Sequence, residues 1–405
     1  MTNLKIAVLV PDGAADFPVP DLGGRTPLEY ADTPNADRVV SMGATGTIAT
    51  VPAGMPPGSD VANFSLMGYD PAVHYGGRGP IEAANLGIEV PPGWTAFRCN
   101  IVTTDGERML DYSAGHVSQE RARAMIEALD ESLGDPRTRF YPGKSYRNLL
   151  LLEGDFGGVE CTPPHDITGQ PLADHMPKGP GAQRIVELME GSKAALAGPG
   201  PGGTAPPPDT SVTMIWPWGQ GSGIAMESFK SRFGLDGAVI SAVDLVMGLG
   251  KLAGLRPLEV PGITGYLDTD YEAKGKAAAA VLDSDDFVYV HVEAPDEASH
   301  MGSAEEKVRA IERFDELVVG PVLLSVETRG EYRLMVCPDH PTLLSTRTHD
   351  ATPVPYAACG TGIEPGRGRA FAEREARSGG PHFDPGWTMM LHLSGRKAWP
   401  HGPAG

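Results

Sequence analysis

Cysteine is scarce in this chain: Cys99, Cys161, Cys337 and Cys359 are spread over 405 residues, and no two form a C-x-x-C pair. That excludes a thiolate zinc knuckle and gives no disulfide framework, so a reducing, cytoplasmic compartment is expected. Basic charge is in deficit too, with 33 Lys and Arg against 52 Asp and Glu and a formal net charge of -19. No basic block offsets that field, which argues against nucleic acid and anionic membrane surfaces as partners. An anionic substrate would therefore need a few arginines to build a local positive pocket. Long hydrophobic runs are missing as well. The N-terminal run Ile6–Val10 is five residues long with no cleavage-site pattern behind it. It reads as a first buried strand, not as a signal peptide or a membrane span.

What the chain does have is glycine and proline, 52 and 38 residues, beside a 41% hydrophobic share. That composition fits a loop-rich globular α/β protein. At 405 residues it exceeds one simple core, so two domains, or one large domain with an insertion, are expected. Apolar runs at 5–10, 237–241, 287–292 and 332–337 each end where polar or small residues begin, as buried strands do. Between them, 242–255 and 303–327 carry apolar residues at helical spacing, and Ser303 followed by Glu306 is a capping-box signature. Strands alternating with helices predict a mainly parallel sheet covered by helices on both faces, with ligands at the carboxyl ends of the strands. The middle differs: a hairpin over 95–113 around Asp105-Gly106, a helix over 118–133, a strand over 145–153 and a Pro/Gly-rich loop over 198–208. The expected organisation is a core in two parts, 1–90 and 228–405, with a smaller α+β domain inserted at 91–227.

Four segments place metal-type ligands just after predicted strands: Asp12 in VPDG, Asp296 and His300 in VEAPDEASH, Asp339 and His340 in VCPDH, and His349 in STRTHD. An Asp and a His four apart share one face of a helical turn and can reach a common ion. Any one of these has a plainer reading, since an Asp after a strand most often makes a turn or an N-cap. Their convergence on one sheet edge is what points to metal. Carboxylate and imidazole without thiolate suit Mn²⁺ or Zn²⁺, with Mg²⁺ less favoured because of the histidines. Within 291–303, Glu293 and Glu297 take supporting or solvated roles, and His291, inside the strand, a structural one. Ser59 follows a Pro/Gly loop and opens a predicted helix, SDVANFSLMG. Local sequence makes it an N-cap; beside a cation at a helix N-terminus it would instead be a nucleophile with a lowered hydroxyl pKa.

The order Asp, Ser, D-x-x-x-H, D-H, H resembles the alkaline phosphatase superfamily. Within it, PDGAAD, PPGSDVANFSLMGYDP, GGRGPIEA, APDEASHMG and PDHPTLLSTRTHDATPVP are similar to the archaeal-type, cofactor-independent phosphoglycerate mutases. The resemblance implies an alkaline-phosphatase-like fold and two divalent cations, Mn²⁺ first. Asp12, Ser59, Asp339 and His340 would hold one, and Asp296, His300 and His349 the other. It further implies a phosphoserine at Ser59, 2-phosphoglycerate and 3-phosphoglycerate as the small phosphorylated substrates, and an inserted domain that closes over the core. Arg78, Arg98, Arg147 and His116 are the candidate anion binders, arginine suiting carboxylate and phosphate through its planar fork. A homo-oligomer is compatible with all of this. Two segments, SVTMIWPWGQGS and VPGITGYLDTDYEAKG, look more like a bacterial subgroup proposed to act as a homoserine kinase, and Met247 stands where many relatives have lysine. The rival readings are therefore a homoserine phosphotransferase and a metal-dependent phosphomonoesterase.

Overall fold

The computed structural model describes residues 4–197, 212–378 and 380–400. The predicted loop at 198–208 and the last five residues of the chain lie outside that range. The strands, in chain order, are β1 (Lys5–Pro11), β2 (Ala44–Ile48), β3 (Trp94–Thr104), β4 (Met109–Asp111), β5 (Thr138–Lys144), β6 (Arg147–Glu153), β7 (Val212–Ser222), β8 (Gly237–Ile240), β9 (Arg256–Pro257), β10 (Phe287–Val292), β11 (Tyr332–Val336), β12 (Thr342–Leu343), β13 (Thr348–His349), β14 (Val354–Gly360) and β15 (His382–Phe383). Two compact units emerge: residues 1–75 with 226–405, and residues 76–225.

The first unit is built on an eight-stranded sheet of order β15-β2-β14-β11-β1-β10-β8-β9. β1 pairs in parallel with both β10 and β11, and β10 with β8. Its six residues Ile6–Pro11 are all buried, which is why the run reads as continuously apolar and not as an alternation. β14 pairs antiparallel with β11 and β2, a reversal the strand-helix rhythm of the sequence does not announce. The parallel strands end together, so Asp12, Glu293 and Cys337 leave the sheet at one edge. The predicted helix at 303–327 is a single helical path, Ala304–Phe314 and Gly320–Glu327, joined by a π-helical turn at Asp315–Val319. Ser303 caps it, its hydroxyl accepting the Glu306 amide at 3.3 Å. No helix among the described residues is long and apolar enough to cross a membrane.

The second unit carries an antiparallel sheet of order β4-β3-β6-β5, with β7 along the other side of β3. The helices Gln119–Leu133 and Ala182–Leu196 pack with it around Phe97, Ile126, Leu150, Ile185 and Trp216. This unit begins before residue 91 because the helix Arg78–Asn85 packs on β3 and β7. Gly79 permits that approach: a Cβ there would stand 2.3 Å from the Ala96 carbonyl oxygen.

Candidate active site

All seven of the metal-type residues singled out from the sequence lie in the first unit, at the carboxyl edge of its sheet. Asp12 follows β1. Asp296 and His300 sit on the helix Ala294–Met301 that follows β10, and their four-residue spacing brings Asp296 Oδ2 within 3.1 Å of His300 Nε2. Asp339 and His340 follow β11, and His349 ends the small hairpin β12–β13, whose register sets Thr342 opposite His349. Ser59 opens the helix Ser59–Leu66, but Gly58 holds the capping position and supplies no side-chain cap. The serine therefore does not serve as the N-cap that its local sequence suggests. Its Oγ lies 3.1 Å from His340 Nε2 and 3.4 Å from Asp12 Oδ2.

Two groups of donors result. In one, His340 Nε2 stands 3.5 Å from Asp12 Oδ1 and 3.5 Å from Asp339 Oδ2, with Ser59 Oγ as the fourth member. In the other, His300 Nε2 and His349 Nε2 are 3.1 Å apart, and His349 Nε2 is 3.5 Å from Asp296 Oδ1. Donors held about 2.1 Å from one cation at tetrahedral to octahedral angles stand about 3.0–3.4 Å apart, so both groups fit a divalent ion. Two further observations agree. Asp12 Oδ1 is buried without a hydrogen-bond partner. His300 Nδ1 donates to the Arg347 carbonyl at 2.9 Å, so Nε2, 3.1 Å from Asp296 Oδ2, is the ring atom that can turn to a cation once it gives up its proton.

The charges tell the same story. Burial, then Asp339, Asp296 and Glu293, pushes the Asp12 carboxyl well above its ordinary range. Burial and the neighbouring Asp296 push Glu293 up to about 8. Asp296 goes the other way: burial raises it, but hydrogen bonds from His300 and His349 outweigh that and hold it well below the usual carboxylate range. Converging buried carboxylates of this kind call for cations. Lys274 is one nearby: burial lowers it to about 8 against the pull of Glu293 and Asp12, and it donates to the His291 carbonyl at 3.1 Å.

Several supporting residues were not identified by sequence reasoning. Asn63, one turn after Ser59, donates to the Ser59 carbonyl at 2.8 Å and to Asp339 Oδ2 at 2.9 Å. Tyr289 donates to Asn63 Oδ1. His291, read from the sequence as a structural residue, has Nε2 3.1 Å from Asp12 Oδ2, and burial drops its pKa to about 4, so a neutral ring abuts that carboxylate. Gly13 donates its amide to Asp339 Oδ1 at 3.1 Å and holds φ at 63°. A Cβ there would lie 2.6 Å from both Asp296 Oδ1 and Thr342 Oγ1. Gly13→Ala is thus expected to strain the turn and displace Asp296, giving about a tenfold or greater loss of affinity for divalent cation, measured by calorimetric titration of the metal-free protein. Unchanged affinity would show that the turn tolerates the methyl group.

In the second unit the candidate anion binders cluster on aromatic rings. The Arg98 and Arg78 guanidiniums lie 4.6 and 5.7 Å from the Trp218 ring centroid, and Arg147 lies 5.0 Å from that of Tyr146. Arg98 Nε is 3.2 Å from Glu82 Oε1. Burial lowers the Arg98 pKa, Glu82 raises it, and the nearby Arg78 and Arg147 lower it further. His116 packs its ring 6.0 Å from Tyr146. His165, which the sequence reading passed over in a Pro-flanked turn, packs 5.3 Å from Trp218, and the same three arginines lower its pKa after burial and against Asp166.

A mainly parallel α/β sheet with acidic and imidazole donors at its carboxyl edge in the first unit, and an antiparallel sheet in the second, define the chain as a two-unit α/β protein with a metal-type donor site. Comparison with known proteins narrows this. The family described as 2,3-bisphosphoglycerate-independent phosphoglycerate mutase matches residues 41–199. A protein of Methanothermobacter thermautotrophicus named 2,3-bisphosphoglycerate-independent phosphoglycerate mutase 2 is 49% identical over 387 residues, covering 94% of each chain. A Geobacter sulfurreducens protein named as a probable enzyme of that kind is 46% identical over 393 residues, covering 96% of this chain and 98% of its own. Among solved structures, the cofactor-independent phosphoglycerate mutase of Thermoplasma acidophilum superposes with a TM-score of 0.63 at 25% identity, covering 97% of this chain and 99% of that one. A Pyrococcus horikoshii protein superposes with a TM-score of 0.80 at 26% identity, covering 98% and 99%. The chain belongs to the 2,3-bisphosphoglycerate-independent phosphoglycerate mutase family.

Proposed function

We propose that this enzyme interconverts 3-phosphoglycerate and 2-phosphoglycerate in the cytoplasm, without a diffusible bisphosphoglycerate, through a phosphoserine at Ser59. The observation that carries the reading is the placement of the Ser59 hydroxyl. It stands at an uncapped helix N-terminus, within 3.1 Å of His340 and 3.4 Å of Asp12. Asp12, Ser59, Asp339 and His340 would hold one divalent cation, and Asp296, His300 and His349 the other. Mn²⁺ is the ion the mixed carboxylate and imidazole donors favour. Bound there, the cations supply charge stabilisation at the entering and leaving oxygens.

The rest falls to the chain. Ser59 Oγ forms a bond to phosphorus as the bond from phosphorus to one glycerate oxygen breaks, and the serine proton ends on the released glycerate hydroxyl. After the glycerate turns, its neighbouring hydroxyl attacks the phosphoserine, Ser59 recovers its proton, and the isomer leaves. The first amides of the helix Ser59–Leu66 face the phosphoryl group and favour its negative charge. In residues 76–225, Arg78, Arg98, Arg147 and His116 are the proposed binders of the substrate's anionic groups.

The test is purified protein with Mn²⁺ and 3-phosphoglycerate, with no bisphosphoglycerate present and product coupled to enolase. Phosphoenolpyruvate is expected to accumulate, to stop on chelation and to resume with Mn²⁺. Absence of 2-phosphoglycerate, together with phosphohomoserine formed from homoserine and a phosphoryl donor, would remove the mutase reading. Free phosphate as the sole product would replace it with a hydrolase.

A further inference from the structure

Thr342 stands between the two groups of donors. It opens β12, is fully buried, and faces His349 across the hairpin. Its hydroxyl is hydrogen-bonded to Asp296 Oδ1 and lies 3.2 Å from His340 Nδ1. A hydroxyl has one proton to give and lone pairs to offer. The ionised carboxylate can only accept, so the proton goes to Asp296 and the oxygen is left to accept from His340 Nδ1–H. That tautomer keeps the His340 lone pair on Nε2, the atom 3.1 Å from Ser59 Oγ and 3.5 Å from both Asp12 Oδ1 and Asp339 Oδ2. One hydroxyl thus orients a donor in each group.

The backbone around this hydroxyl is held firmly. The Thr342 amide points at the Gly13 and Ala15 carbonyls, each 3.3 Å away. The buried Lys307 ammonium donates to the Thr342 carbonyl at 2.7 Å and to Asp16 Oδ2 at 2.9 Å. Asp16 Oδ2 also accepts the Leu344 amide at 3.1 Å, so the segment is tied at both sides of Thr342. These contacts hold the Thr342 backbone, so its hydroxyl projects from a fixed base.

We propose that Thr342 is a positioning residue that couples the two groups, so that they take up divalent cations cooperatively. The inference rests on the two-metal reading above. A cation at His340 fixes the imidazole, hence the hydroxyl, hence the Asp296 carboxylate, and the second cation then meets donors already ordered. The coupling is reciprocal, as any linkage between two binding equilibria must be. Outer partners of metal ligands typically change affinity by about 10–100-fold when removed.

The test is calorimetric titration of the metal-free full-length chain with Mn²⁺, in the parent and in Thr342→Val, Thr342→Ala and Thr342→Ser. The parent is expected to bind two ions per chain with positive cooperativity. Thr342→Val, which keeps the shape and loses the hydroxyl, is expected to bind both about tenfold or more weakly, as independent sites. Thr342→Ala and Thr342→Ser lack the same methyl group and differ in the hydroxyl alone. Serine is expected to recover most of the affinity and the cooperativity, alanine neither, and this pair decides the matter if the valine variant does not fold. Circular dichroism and melting of each metal-free variant verify the fold. Parent-like affinity and cooperativity in the alanine and valine variants would overturn the coupling, as would two independent ions in the parent. A parent that takes up fewer than two ions would instead overturn the metal pair, and stoichiometry alone separates that outcome.

Discussion

Ser59→Ala is expected to lower mutase turnover by about four to six orders of magnitude while leaving the divalent-cation content close to the parent's. The expected loss is large because the substitution removes the atom that would carry the phosphoryl group. The metal content should survive because six of the seven proposed donor side chains remain, with Asp12, Asp339 and His340 still converging at 3.5 Å spacings. The fold should survive too. Gly58, not Ser59, holds the capping position, so no cap is lost, and alanine is the best helix former for the first turn. Its effect on stability is expected within about 0.5 kcal/mol. Three measurements check this: enolase-coupled turnover, metal content by elemental analysis, and mass spectrometry of protein quenched during turnover. Parent protein should show phosphate on the peptide containing Ser59, and the variant none. Retained turnover in the variant would place the nucleophile elsewhere.

Among the candidate donors, Asp12, Asp296, Asp339 and His340 were legible because each follows closely on a buried strand. β1, β10 and β11 are short apolar runs that must end in polar turns, and parallel pairing puts those ends at one edge. The D-x-x-x-H spacing needed only a helical turn to become a 3.1 Å contact. What stayed hidden was whatever depends on contacts distant in sequence. Lys307 reaches the Ala15 carbonyl across 292 positions, and on its helix it looks like one more solvated charge. Asn63 looks like an ordinary helix residue until Asp339, 276 positions on, comes within 2.9 Å. His291 sits in a strand buried along its whole length, and that apolar run gives no reason to expect Asp12 beside it. Thr342 follows a proline in a two-residue strand too short to leave a pattern. The start of the second unit was obscure for a related reason: the helix Arg78–Asn85 belongs to it through packing against β3 and β7, which no local signal records.

Asp296→Asn is the second substitution expected to have a large effect. The side chain keeps its size, but one carboxylate oxygen becomes an NH₂ group that would face His300 Nε2 or His349 Nε2, the atoms now 3.1 and 3.5 Å from the carboxylate. Those nitrogens need a lone pair to bind a cation, and an amide donor aimed at them competes for it. The formal charge of the group also falls by one, where hard divalent ions depend on carboxylate oxygens. About one equivalent of cation should be lost, and turnover should fall by about three orders of magnitude or more, since a two-metal centre would be left with one ion. A separate readout follows from the metal-free protein. The Asp296 hydrogen bond, set against burial, raises His300 to about 9. A histidine raised in the folded state contributes stability that is fully present below its unfolded value, about 6.5, and is lost as pH rises through about 9. In Asp296→Asn that contribution should shrink, and the His300 titration measured by NMR on metal-free protein should move down toward the ordinary histidine value. An unmoved titration would mean that Asp296 does not hold the His300 proton. Unmoved metal content would mean that the second group does not need its only carboxylate, and the assignment of Asp296, His300 and His349 to one ion would fall.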